Sequence, residues 1–148
     1  MRTLKMAIVT TAAVLMSACG ADANGPPDIQ VDRTACAHCT MLISEPRYAA
    51  AYQVEGTGPR VFDDIGCLLD ALGKETKAPA GFWFRDTNED AWIEGDKASF
   101  VLSDAIRTPM SGGITAYRDV QSAEAAASRH NGSVVKTFAA LRQMKGRS

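Results

Sequence analysis

Hydrophobic and polar residues alternate along two stretches separated by a turn, which is the pattern of a β-hairpin. Residues 48–54 alternate well enough for a strand, residues 55–59 are rich in Gly and Pro, and residues 60–62 return as a second strand. Apolar residues then recur at intervals of three and four over residues 65–72, which indicates a helix with one buried face. Asp63-Asp64 can cap this helix, so the first half of the chain predicts a ββα unit.

The second half repeats strands followed by a helix. Short apolar runs predict strands at residues 82–84, 91–93, 99–102 and 114–117. Ser122 can cap an Ala-rich helix over residues 123–130, which Asn131-Gly132 would end. Residues 134–138 are predicted as a final strand before a short basic tail. Strand pairs followed by a helix, twice, indicate an α+β fold, a small single domain of ββα-type units.

Composition limits the size and the partners of this domain. The chain has 148 residues, of which 46% are hydrophobic, enough for one compact domain and too few for two ordinary ones. A formal net charge of −1 provides no electrostatic support for binding nucleic acid. With only two histidines, a His-rich catalytic or zinc site has little room.

The first residues have the pattern of a secretion signal. Arg2 and Lys5 precede an apolar run at residues 7–16 that is too short for a permanent membrane span. Small residues then precede Cys19, which resembles the lipobox of bacterial lipoproteins. The resemblance implies removal of residues 1–18 and lipid attachment to Cys19, and an ordinary secretory signal cleaved nearby is the alternative.

A flexible connection follows the predicted anchor. Residues 19–30 are interpreted as the lipidated cysteine and its tether, because residues 21–28 are small, polar and rich in Pro and Gly. Residues 31–148 then form the folded domain. By resemblance to enterobacterial lipoproteins, Gly20 after the cysteine indicates the outer membrane, with the domain facing the periplasm.

Candidate metal chemistry lies in the motif Cys36-Ala37-His38-Cys39-Thr40-Met41. Two cysteines three residues apart can both reach one ion or form a disulfide. Met41 would lie on the same side as Cys39 if this stretch is extended. Thiolate and thioether donors together favour Cu(I) over hard ions. Met110, in a loop rich in Gly at residues 108–113, is a further soft donor that loop movement could bring to the metal.

Three other residues are possible ligands to which the sequence assigns no metal-binding role. His38 lies between the two cysteines and could bind a metal or face water. His130 ends a predicted helix, where a partly charged imidazole suits the helix dipole, so a structural role is preferred. Cys67 lies on the first predicted helix but far around it from the apolar face, which indicates a packing residue or a free thiol.

Two functions other than copper binding remain open at this point. A thiol–disulfide oxidoreductase could use Cys36 and Cys39, but it would need the motif between a strand and a helix, and residues 31–35 make a poor central strand. A structural lipoprotein could instead use a Cys36–Cys39 disulfide as a staple, since the cell envelope is oxidising.

The chain resembles the NosL family of nitrous oxide reductase accessory lipoproteins over nearly its whole length. The resemblance rests on the lipoprotein signal, on CxxCxM at Cys36, Cys39 and Met41, and on the TPMSGG loop that carries Met110. The family usually has Gly between the second cysteine and the methionine, where this chain has Thr40.

This resemblance implies an α+β copper chaperone that is not an enzyme. Cys36, Cys39, Met41 and Met110 would hold one Cu(I). The copper would pass towards the copper–sulfide centre of nitrous oxide reductase, with help from a membrane ABC-type maturation complex. A second copy of the chain could also share the metal in a copper-linked homodimer.

Overall fold

Two antiparallel sheets and three helices make up the structure, a computed structural model that describes residues 25–146. The predicted signal peptide, Cys19 and the first part of the tether, up to residue 24, lie outside the described residues, so their assignment stays a prediction. After a 3-10 turn at Pro46–Tyr48, the elements are β1 (Ala50–Val54), β2 (Gly58–Phe62), α1 (Ile65–Leu72), β3 (Gly81–Arg85), β4 (Trp92–Glu94), β5 (Ser99–Leu102), β6 (Ile114–Tyr117), α2 (Val120–His130), β7 (Ser133–Val135) and α3 (Phe138–Lys145).

The sheets follow the predicted hairpins. The first has the strand order β2-β1-β3-β4 and the second the order β6-β5-β7, with every neighbouring pair antiparallel. In the register of the first sheet, Ala50 pairs with Phe62 on one side and with Phe84 on the other. The α+β class is therefore confirmed. No helix of the described residues is both long enough and apolar enough to cross a bilayer.

Aromatic side chains join the two sheets into one core. The ring of Phe84 on β3 meets that of Phe100 on β5 edge-on, with 4.9 Å between their centroids. Phe138, at the start of α3, packs between the two sheets' aromatic residues, with its centroid 4.8 Å from Phe84 and 4.7 Å from Phe82. Because residues of both sheets contribute to this cluster, the described residues form a single domain.

The end of the chain differs from the sequence prediction. The predicted strand at residues 134–138 is wrong in its second half, because β7 ends at Val135 and Phe138 begins α3. Thr137 caps this helix by accepting a hydrogen bond from the backbone N–H of Ala140, at 3.2 Å. The basic tail is therefore a helix, and Phe138 and Leu141 are its buried residues.

The second helix begins earlier than predicted. Asp119, rather than Ser122, caps α2, and its carboxylate accepts a hydrogen bond from the Ser122 N–H at 2.7 Å. Its predicted end is confirmed, since Asn131 takes the left-handed conformation (φ 48°) that commonly terminates a helix.

Candidate metal centre

The three cysteines of the described region meet at one place. The sulfur atoms of Cys36, Cys39 and Cys67 and a carboxylate oxygen of Asp63 all lie within 4.8 Å of one another. We call these four residues the thiol cluster. All three cysteines are free thiols. Cys36 and Cys67 are buried, at 2% and 4% exposure, whereas Cys39 is partly exposed, so the cluster can be reached from the Cys39 side.

A tight loop presents the two cysteines of the CxxC motif. The Cys36 N–H donates to the Met41 carbonyl at 2.8 Å, and the Thr40 N–H donates to the Cys36 carbonyl at 3.0 Å. The Ala37 N–H donates to the carbonyl of Val61 on β2, also at 2.8 Å. This last bond attaches the loop beside the end of β2, two residues before Asp63, and so brings the two halves of the thiol cluster together.

The backbone between Cys39 and Met41 is not extended. Thr40 has a φ of 66°, a left-handed conformation that favours Gly and costs a β-branched residue about 1 kcal/mol or more. The premise that placed Met41 beside Cys39 is therefore wrong. The Met41 side chain is 57% exposed and is not among the residues lining the pocket described below.

Asp63 is placed to interact with a cation. The Cys39 thiol donates to Oδ2 of Asp63 at 3.5 Å, and the other oxygen, Oδ1, is buried with no hydrogen-bond partner among the described residues. A buried carboxylate oxygen without a partner costs free energy that a bound positive charge would recover.

Burial also keeps the inner thiols protonated. Removal from water raises the pKa of the Cys36 thiol above its ordinary value. Burial raises the pKa of Cys67 further, and the nearby groups of Cys36 and Asp63 add to that shift by charge repulsion. Because a thiol must lose its proton to bind a metal tightly, metal uptake by these residues would release protons.

Met110 lies at the same site as the thiols. Cys39 and Cys67 line a pocket with a volume of about 330 Å³, which Met110, His38 and Lys145 also line. The Met110 side chain is 41% exposed. The structure thus brings a thioether from a distant loop to the thiol cluster, while His130 ends α2 outside this pocket.

Asp64 connects the Met110 loop to the start of α1. It is fully buried and caps the helix by accepting a hydrogen bond from the Gly66 N–H at 2.6 Å. Its Oδ2 accepts hydrogen bonds from the Thr108 hydroxyl and from the Met110 N–H, the latter at 3.2 Å. Since Asp64 alone caps the helix, Asp63 remains available to the thiol cluster.

Sequence reasoning left Cys67 outside the ligand set, although the structure places it in the thiol cluster. The apolar face of α1 was correctly recognised, but Cys67 is buried as well, beside Ile65 and Leu68 in the first turn. That turn follows the pair Asp63-Asp64, of which Asp63 faces the CxxC loop. The sequence signal that could have indicated Cys67 as a ligand was its position close to the two Asp residues before the helix and away from the apolar face.

The described residues thus form a small α+β domain with a cluster of three thiols and a buried carboxylate, two of whose thiols line a pocket together with the thioether of Met110. Thiols and a thioether are soft-metal donors. The NosL family model matches residues 28–144, so the chain belongs to the NosL family. No curated protein matches. The crystal structure of the copper chaperone NosL from Shewanella denitrificans is similar, with a TM-score of 0.67 and 20% sequence identity, covering 78% of this chain and 98% of that one. At this identity the likeness shows the fold.

Proposed function

We propose that this protein is a Cu(I)-binding chaperone, without catalytic activity of its own, that delivers copper for assembly of the copper–sulfide centre of nitrous oxide reductase. The observation that carries the proposal is the convergence of three thiols within 4.8 Å, two of which, Cys39 and Cys67, line a pocket with Met110. Membership of the NosL family supports it, as does the similar fold of a copper chaperone. Thiolate and thioether are the donors that Cu(I) prefers.

The donors divide into a buried and an exposed group. Cys36 and Cys67 are buried and would retain the metal, while Cys39 is partly exposed. Met110 and Met41 are the exposed donors. A partner's ligand can therefore replace a thioether first and a thiolate afterwards. This order lets copper leave by ligand exchange without a bare ion entering water.

Anchoring and partners follow from the sequence pattern and the family. We propose that residues 1–18 are removed, that Cys19 is lipidated, and that the domain faces the periplasm from the outer membrane. Nitrous oxide reductase and its membrane ABC-type maturation complex are the proposed partners, and two chains could share copper in a homodimer. Lipidation would be tested by the mass of the mature N-terminal peptide, compared with that of a Cys19→Ala variant.

Copper binding is tested by anaerobic titration of the reduced protein, lacking residues 1–19, against a chromogenic Cu(I) chelator. We expect one copper per chain, and weaker competition by Cys39→Ser, Met110→Leu and Met41→Leu. Met144→Leu is the matched control, because Met144 is similarly exposed (43%) and, unlike Met41, lies outside the CxxCxM motif as well as outside the pocket. Failure of the parent protein to compete, with its thiols fully titratable, would refute copper binding.

Disulfide exchange is less well supported by the structure. The CxxC motif lies in a turn, does not open a helix, and its first thiol is buried, whereas exchange needs an accessible low-pKa thiol at such a position. If the parent protein fails to bind Cu(I) and its Cys36 and Cys39 are found oxidised, the structural disulfide becomes the preferred interpretation.

A further inference from the structure

We infer that Asp64 is a positioning residue for the copper site: with Thr108, it fixes the loop that carries Met110 against the helix that carries Cys67. This inference rests on the proposed function. Both carboxylate oxygens of Asp64 are engaged by the chain itself, because Oδ1 accepts from the Gly66 N–H and Oδ2 accepts from both Thr108 and Met110. The role we assign to Asp64 is exerted through the backbone of Met110, from whose N–H it accepts a hydrogen bond.

These hydrogen bonds join the start of α1 to the loop at residues 108–113, two segments that are distant in the sequence. The Thr108 hydroxyl donates to Asp64 and also accepts from the Gly113 N–H at 3.2 Å, and Thr108 is itself buried. The Met110 N–H donates to Asp64 at 3.2 Å. The loop is therefore hydrogen-bonded at its first residue, Thr108, at its last, Gly113, and at the backbone of Met110 between them.

Two glycines enclose the Asp64 carboxylate. A Cβ at Gly66 would lie 2.9 Å from its Oδ1, and a Cβ at Gly112 would lie 2.6 Å from the same atom. Gly113 has a φ of 61°, and a Cβ there would lie 2.5 Å from the Ser103 carbonyl. The glycines of the Met110 loop thus allow close approach of buried groups, which is the opposite of the loop movement expected from their number.

Fixing the Met110 backbone reduces the number of torsions that become ordered when copper binds. Only the side-chain torsions of Met110 need to be fixed when its sulfur binds, since the loop already occupies its place beside Cys39 and Cys67. Such preorganisation raises affinity by reducing the entropy cost of binding. Residues that orient metal ligands commonly change metal affinity about 10- to 100-fold when they are replaced.

The test replaces Asp64 with its amide in the full chain and measures Cu(I) affinity by chelator competition. In Asp64→Asn the side-chain oxygen can still accept from Gly66, but its NH₂ group faces the Met110 N–H, and two donors cannot bond. We expect an affinity loss of about 10-fold. Because the loss would act through Met110, the double variant Asp64→Asn/Met110→Leu should lose no more than Met110→Leu alone.

Replacements of Thr108 provide a second test should Asp64→Asn fail to fold. Thr108→Val removes the hydroxyl and should reproduce the loss, whereas Thr108→Ser keeps it and should bind like the parent. Asp119→Asn is the matched control, since Asp119 caps α2 in the same way outside the pocket.

The outcomes separate this inference from the proposed function. If the parent protein does not bind Cu(I), the proposed function fails. If the parent binds and Met110→Leu binds more weakly, but Asp64→Asn and Thr108→Val bind like the parent, the positioning role is overturned. Losses in Asp64→Asn and Met110→Leu that multiply in the double variant would also overturn it.

Discussion

Replacing Gly112 with Ala introduces a single methyl group against a buried carboxylate. Gly112 does not have the positive φ that strains an L-residue, so alanine changes little in the backbone preference. Its Cβ, however, would lie 2.6 Å from Oδ1 of Asp64, 3.3 Å from Cγ and 3.4 Å from Oδ2. One of the two groups must move.

The size of the effect follows from what Asp64 would lose. Its carboxylate is fully buried and accepts three hydrogen bonds, so a shift away from the new methyl group weakens at least one of them. A hydrogen bond to a charged group contributes about 1.5–3 kcal/mol. Glycine-to-alanine replacement returns about 0.4–1 kcal/mol by restricting the unfolded chain. We expect Gly112→Ala to lower the free energy of unfolding by about 1–2 kcal/mol.

Urea unfolding of the reduced protein, followed by tryptophan fluorescence and circular dichroism, measures this change. The midpoint should fall with an unchanged m-value. Gly73→Ala is the control, because Gly73 has a right-handed backbone (φ −63°) and its nearest neighbour would lie at 3.5 Å, an ordinary contact. That variant should keep or gain stability. If Gly112→Ala proves as stable as Gly73→Ala, the Asp64 carboxylate is not confined as described.

Three further predictions test the thiol cluster, the core and the N-terminal contact. Burial raises the pKa of Cys36 and Cys67 above the ordinary 9.0, so the two thiols lose their protons at lower pH in the unfolded chain than in the folded one. Above pH 9 the free energy of unfolding should therefore fall with pH, with a slope that approaches about 1.4 kcal/mol per pH unit for each thiol. In urea unfolding at about pH 9 and 10, Cys67→Ala should remove the contribution of one thiol to this fall. Phe138→Ala should cost about 3–5 kcal/mol in the same assay at neutral pH, and a loss below 1 kcal/mol would contradict the packing of α3. Trp92→Phe removes the indole N–H bond to the Pro27 carbonyl (3.0 Å). Because Pro26 and Pro27 have no N–H, the readout is amide exchange at residues 28–30, which should accelerate while global stability falls by about 1 kcal/mol at most. Unchanged exchange would contradict this anchoring role.

Local patterns in the sequence determined the strands and the helix of the first ββα unit. The alternation at residues 48–62 predicted the β1–β2 hairpin, and the spacing of three and four predicted α1, because side-chain periodicity follows from backbone geometry alone. The donor chemistry was equally readable, since sulfur side chains are soft wherever they lie. The α3 helix was missed because its apolar residues, Phe138 and Leu141, are too few for a clear period.

Tertiary structure alone decided which of these donors come together. Cys67 joins Cys36 because the Ala37–Val61 hydrogen bond attaches the CxxC loop beside the start of α1, a contact between segments that no local pattern relates. Likewise, the adjacent carboxylates Asp63 and Asp64 are equivalent in sequence. They differ in role because one faces the thiols and the other faces the Met110 loop. Periodicity identifies which side of an element is buried, and only the packed chain determines what that side meets.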